Sequence, residues 1–232
     1  MRASILAAVL AAFVVQALAQ DTTLTQQEFV PKSGSGRVVV LVSGQLGPSA
    51  YVQSAQEIAD AGFDVVLLDS NQLWIKDTQA AWSMLKGAIT RAQAGAHAQP
   101  GKVGVVGYSL GGGIALAYAT RMPDLVETVV VSYPNTIFVK DPAEFVGKMK
   151  VPVLMMAGTA DTYKECCLIE RARQMEQAGK ASSPPMLTLH EYAGVGHGFN
   201  LPTAPRKDQA AGQDAMERTI ARLREALPPT AR

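Results

Sequence analysis

The feature that most restricts this chain is the regular alternation of short, unbroken apolar runs with longer amphipathic ones. Arg37 to Ser43 (RVVVLVS), which is rich in β-branched residues, Phe63 to Leu68 (FDVVLL), Lys102 to Gly107 (KVGVVG), Thr128 to Ser132 (TVVVS) and Val153 to Ala157 (VLMMA) are such short apolar runs. A strand that is apolar throughout must be covered on both faces. Leu24 to Val30 and Met186 to Tyr192 supply a first and a last strand. Between them lie helical spacings: Pro48 to Gly62, Thr78 to Ala94 with Trp82, Leu85, Ile89 and Ala92 on one face, Leu110 to Thr120, Lys164 to Ala178, and Asp208 to Leu227. This strand–helix–strand repetition predicts an α/β fold: a mostly parallel sheet of about seven strands with helices on both faces. The longest stretch without an element, Pro134 to Val151, is too short for a large lid.

The N-terminus is set apart from this pattern. Met1-Arg2, the apolar stretch Ile5 to Val15 and the small-x-small site Ala17-Leu18-Ala19 before Gln20 have the form of a cleaved export signal. The expectation is a signal peptide over 1–19 and a single domain over 20–232, exported to the periplasm or secreted. The apolar run is shorter than the ~20 residues of a membrane-spanning helix, so no stable membrane insertion is expected after cleavage. The formal net charge of +1 falls to zero with the loss of Arg2. Such a chain has no global field with which to hold nucleic acid. Cys166 and Cys167, the only cysteines, are adjacent and cannot close a loop that constrains the unfolded chain. On the expected helix their side chains diverge, so two unbonded, semi-buried residues are expected; a vicinal or an intermolecular disulfide stays open.

Chemistry is concentrated at Gly107-Tyr108-Ser109-Leu110-Gly111, a G-x-S-x-G stretch at the junction of a buried strand and a helix. That setting suits a nucleophile elbow, a tight turn that holds the serine in a strained conformation and needs Gly107 and Gly111 for the chain to reverse. No G-x-G-x-x-G or G-x-x-x-x-G-K stretch offers a nucleotide loop instead.

A serine nucleophile needs a base oriented by a carboxylate, on this fold in the order Ser, acid, His. Of three histidines, His97 precedes the serine and belongs to a surface loop, and His190 lies inside the last strand, facing a side of the sheet. His197, in the glycine-bounded GVGHGF loop after that strand, is placed as a base. Asp161 follows the strand 153–157 and is the candidate acid, ahead of Asp141, Glu165 and Glu170; Asp69 comes before the serine. The backbone N–H groups of Leu110 and Gln45, with Leu46 as the alternative to Gln45, are the candidate oxyanion donors.

Four blocks, VVVLVSG, GYSLGGG, VPVLMMAGTAD and YAGVGHGF, together resemble the α/β-hydrolase superfamily, and within it the dienelactone hydrolase family. The resemblance implies a serine-dependent hydrolase with Ser109, Asp161 and His197 as triad. It departs from the family pattern in two places: dienelactone hydrolases carry a cysteine nucleophile and an acidic residue in the oxyanion loop, where this chain has Ser109 and Gly44. The likeness therefore concerns the scaffold rather than the reaction on dienelactone.

The expected activity is cleavage of an ester or related acyl bond of a small molecule, with no metal or organic cofactor. Peptidase and acyltransferase chemistry would use the same triad, and a non-catalytic binding protein could use the same fold. Leu46, Trp74, Tyr108, Tyr163 and Phe199 are the expected pocket walls.

Overall fold

In the computed structural model, which describes residues 24–181, 183–205 and 208–230, the apolar runs form the centre of a seven-stranded sheet. The strands are β1 (Gln26–Phe29), β2 (Gly36–Val42), β3 (Asp64–Leu68), β4 (Ala98–Tyr108), β5 (Val126–Ser132), β6 (Val153–Gly158) and β7 (Leu187–Tyr192). Their order is β1-β3-β2-β4-β5-β6-β7, parallel throughout except for the edge strand β1, which runs antiparallel to β3. The alternation of β2 shows why continuous apolar strands arise here. Val38, Val40 and Val42 enter one core layer, while Val39 and Leu41 enter the other.

Six helices cover the two faces: α1 (Val52–Asp60), α2 (Thr78–Gln93), α3 (Leu110–Ala117), α4 (Pro142–Gly147), α5 (Ile169–Gly179) and α6 (Gln209–Ala226). Helices α1 and α6 pack over Val39, Leu41 and Val106, and α2, α3 and α5 over Val38, Val40 and Val105. Each buried Val, Leu or Ile side chain contributes roughly 1.5–3 kcal/mol to this two-sided core. The connections after β2 and β4, neighbouring strands, leave to opposite faces and open a crevice at the strands' carboxyl ends, where ligands bind in sheets of this type.

Three local expectations change. β4 begins at Ala98 and runs through Pro100-Gly101, accommodated by a register shift against β2 between Arg37 and Val39. The segment between β5 and β6 holds the short helix α4, N-capped by Asp141, whose carboxylate accepts the Glu144 N–H at 3.0 Å. The helix expected from Lys164 begins only at Ile169, because Lys164 and Glu165 adopt positive φ (46° and 54°), which no α-helix tolerates.

The expected signal peptide, 1–19, lies outside the described residues. Among the described residues no helix is long and apolar enough to cross a membrane.

Candidate active site

β4 delivers Ser109 to the crevice on a backbone that few residues adopt. Its φ is 50° and ψ −113°, a conformation costing on the order of 1–3 kcal/mol and retained only where the surroundings impose it. The imposition comes from close packing of the glycines: a Cβ on Gly107 would approach the Gly111 carbonyl oxygen to 2.6 Å, and one on Gly111 would collide with the carbonyl oxygens of Val42 and Ser43. The turn is pinned further through the Ser109 carbonyl, which accepts the N–H groups of Gly113 (3.0 Å) and Asn135 (2.8 Å).

The base and the acid come from two loops that are tied together. Thr159 N–H donates to the Tyr192 carbonyl (2.9 Å), Ala160 N–H to that of Val195 (3.0 Å), and Gly194 N–H to Thr159 Oγ1 (2.8 Å). Gly158 lies so close to the Val195 carbonyl that a side chain there would displace the loop. Adjacent strands β6 and β7 thus hold Asp161 and His197 in one fixed relation. His197 Nε2 stands 3.0 Å from Ser109 Oγ, and His197 Nδ1 stands 2.7 Å from Asp161 Oδ2. The other carboxylate oxygen, Oδ1, accepts the Tyr163 N–H at 3.0 Å. Asp161 is buried and doubly bonded, so its carboxyl group is fixed where it orients the imidazole.

Aromatic rings fix the imidazole plane. Tyr163 stacks on His197 with centroids 4.5 Å apart, and Tyr133 meets it edge-on at 4.7 Å. Of the residues expected in the walls, Leu46, Trp74 and Tyr163 are exposed around the crevice. Tyr108 and Phe199 are instead core residues beneath it: Tyr108 stacks on Tyr51 at 5.0 Å, and Phe199 packs against Tyr133 and Tyr192. Leu110 opens α3, where an N–H has no intrahelical acceptor, and no main-chain acceptor engages the Gln45 N–H among the described residues. Both are therefore available to a bound oxyanion.

The competing candidates have structural work elsewhere. Asp69 caps a turn by accepting the Asn71 N–H (2.9 Å), Asp141 caps α4, and Glu170 lies in the first turn of α5. His97 bonds the Gly34 carbonyl (2.8 Å) far from the serine in the fold, and His190, on β7, lies 3.6 Å from Asp214 of α6. Burial first, and then the Arg218 cation, lower the His190 pKa; the Asp214 carboxylate opposes them.

Tyr51, Tyr133 and Asn200 carry no motif and emerge only from packing. Tyr133 donates to Asn200 Oδ1 in a short bond, and burial pushes the Tyr51 hydroxyl up to about 12, so both phenols stay protonated. The Tyr51 hydroxyl occupies the space that any side chain at Gly44 would need. That contact leaves no room for a side chain at position 44.

Adjacent Cys166 and Cys167 form a disulfide, which corrects the expectation of unbonded cysteines. They lie before α5, in the segment that has already left helical geometry, so the bridge needs no helix to unwind.

The model of the dienelactone hydrolase family matches residues 70–227. This chain belongs to the dienelactone hydrolase family. Among curated proteins, a carboxymethylenebutenolidase of Rhodococcus opacus is 26% identical over 208 residues, 81% of each chain. Protein usf of Aquifex pyrophilus is 29% identical over 133 residues, 56% of this chain, which spans only 54% of that protein. Among solved structures, Thermogutta terrifontis esterase 2 phosphoramylated by tabun superposes with a TM-score of 0.70 at 18% identity, over 89% of this chain and 92% of that one. A monoacylglycerol lipase of Paleococcus ferrophilus superposes with a TM-score of 0.63 at 19% identity, over 85% and 98%. These two likenesses concern the fold.

Proposed function

We propose that the protein is an exported serine hydrolase that cleaves an ester bond through a Ser109–His197–Asp161 triad and an acyl-enzyme. The observation that carries this reading is the continuous relay from Ser109 Oγ to His197 Nε2 (3.0 Å) and from His197 Nδ1 to buried Asp161 (2.7 Å). Ser109 Oγ attacks the carbonyl carbon as His197 Nε2 takes its proton. The N–H groups of Leu110 and Gln45 hold the oxyanion, and each such donor is worth about 10²- to 10³-fold in rate. His197 returns the proton to the leaving alcohol, then removes one from the water that frees the acid.

A groove of about 720 Å³ at the C-terminal end of α3 offers an apolar surface, although its lining includes none of Ser109, His197, Asp161, Leu110 and Gln45. Trp74, Trp82, Tyr118, Phe138 and Phe145 line it, and Phe138 comes within 3.2 Å of the position a Cβ on Gly113 would take, one helical turn from Ser109. Export is supported by the Ala17-Leu18-Ala19 site and by the vicinal disulfide, which suits an oxidising compartment.

The test is labelling of the folded chain with a fluorophosphonate probe followed by mass mapping. A single adduct on Ser109 is expected. No adduct, or one elsewhere that spares Ser109, defeats the proposal.

A further inference from the structure

The disulfide lies at the histidine. Cys166 and Cys167 are buried (8% and 3% exposed), and one sulfur from each, with a ring nitrogen of His197, fall within 4.8 Å of one another. The pair is fastened to the elbow through the main chain: Thr136 N–H donates to the Cys166 carbonyl at 2.7 Å, and the adjacent Asn135 N–H donates to that of Ser109. Tyr163, three residues earlier in the same loop, is stacked on the imidazole. None of these contacts requires a disulfide, so the loop holds its sulfurs beside His197 by its backbone and its packing.

We propose that the reduced Cys166 and Cys167, together with His197, form a binding site for a thiophilic divalent cation such as Zn²⁺ or Cd²⁺, and that its occupancy turns the hydrolase off. A tetrahedral zinc with sulfur at about 2.3 Å and nitrogen at about 2.0 Å needs donor separations of about 3.5–3.8 Å. The three donors already lie within 4.8 Å of one another, and opening the S–S bond frees the two sulfurs to take up that spacing. Two thiolates and an imidazole suit a soft cation, with water in the fourth position.

The disulfide closes this site and a dithiol reductant opens it. The reductant supplies two electrons and two protons, the S–S bond breaks into two thiols, and the reductant leaves as its own cyclic disulfide. The cation then displaces both thiol protons to solvent and takes a lone pair from His197. Each imidazole nitrogen is already engaged, Nε2 with Ser109 and Nδ1 with Asp161. Whichever one the cation takes, the relay is broken. Inhibition thus rests on the triad reading, whereas cation binding does not.

The experiment compares oxidised chain with chain reduced by a mild dithiol under native conditions and desalted. Three quantities are read: free thiols, the ultraviolet absorption of a cadmium–thiolate bond on adding Cd²⁺, and turnover of an activated ester with and without Zn²⁺. Reduced chain is expected to show two thiols, to bind one Cd²⁺ with the thiolate band, and to regain full turnover when a chelator removes zinc. At a zinc concentration about 100-fold above Kd, turnover falls to about 1%. Oxidised chain shows neither band nor inhibition. The Cys166→Ser, Cys167→Ser double variant keeps its metal-free turnover and loses both responses; the comparison of oxidised with reduced wild type needs no variant. A disulfide that does not open natively, an absent band, or equal zinc inhibition of the oxidised chain or the double variant overturns the proposal. A band in a chain without esterase turnover supports the cation site and counts against the triad alone.

Discussion

Two aspartates, Asp161 and Asp64, are buried at opposite ends of the same sheet, and they are treated in opposite ways. Asp161, beyond the carboxyl end of β6, receives a backbone N–H from Tyr163 and the imidazole N–H of His197. Asp64, at the amino end of β3, has neither: no N–H or O–H donor among the described residues reaches its carboxyl oxygens. Burial, reinforced by the neighbouring Glu28 carboxylate and opposed by His97, pushes the Asp64 pKa up to about 6. A shared proton with Glu28 is the hydrogen bond open to it. Burial alone therefore does not make a carboxylate functional. Two N–H donors bind one carboxylate into the relay, and their absence leaves the other favouring its neutral form.

The comparison is broken most severely at the relay. Ser109→Ala is expected to lower kcat for an activated ester by about 10⁴-fold or more, with an unchanged melting temperature. Asp161→Asn should cost about 10⁴-fold in kcat, since the imidazole loses the partner that fixes its tautomer. The matched change at the other end, Asp64→Asn, should leave kcat within about twofold, because the residue makes no contact with the relay.

Its effect belongs to stability. Between its unfolded value, 3.8, and about 6, the folded state binds more protons at Asp64 than the unfolded state does, so this group makes stability fall as pH rises through that window. Asp64→Asn should therefore raise stability at pH 7 by roughly 1–2 kcal/mol and flatten the slope between pH 4 and 6 in urea titrations. Glu28→Gln, which removes only the reinforcing charge, should move the same slope in the same direction by less than about 1 kcal/mol. An Asp64 variant that lost activity, or a pH slope of the opposite sign, would undo the distinction between the two ends.

Much of the relay is legible before folding because each member sits at a strand end that the apolar runs mark. Ser109 follows KVGVVG, Asp161 follows VLMMAGTA and His197 follows the last strand, and chain order separates His197 from His97. Helix α4 was also there to be read, from Asp141-Pro142 and Glu144, the signals of a capped helix start. Tyr108 illustrates a different failure. It shares the side of β4 taken by Val106, so the pleat turns it into the core under α1 and away from the crevice. Nothing local marks Tyr51 or Tyr133, whose roles depend on what lies across the sheet.

The sequence by itself determined the layered fold and the residue types of the relay, because both follow from local periodicity and from the requirements of a single tight turn. Only the tertiary structure decided that Ser109, Asp161 and His197 meet, and that a cysteine pair and a tyrosine come with them. The sequence separations of 88 between serine and histidine and 36 between acid and histidine are closed by β4, β5, β6 and β7 lying side by side with their carboxyl ends together. Which side chains share that edge is fixed by strand order and register, and those depend on contacts between segments far apart in the chain.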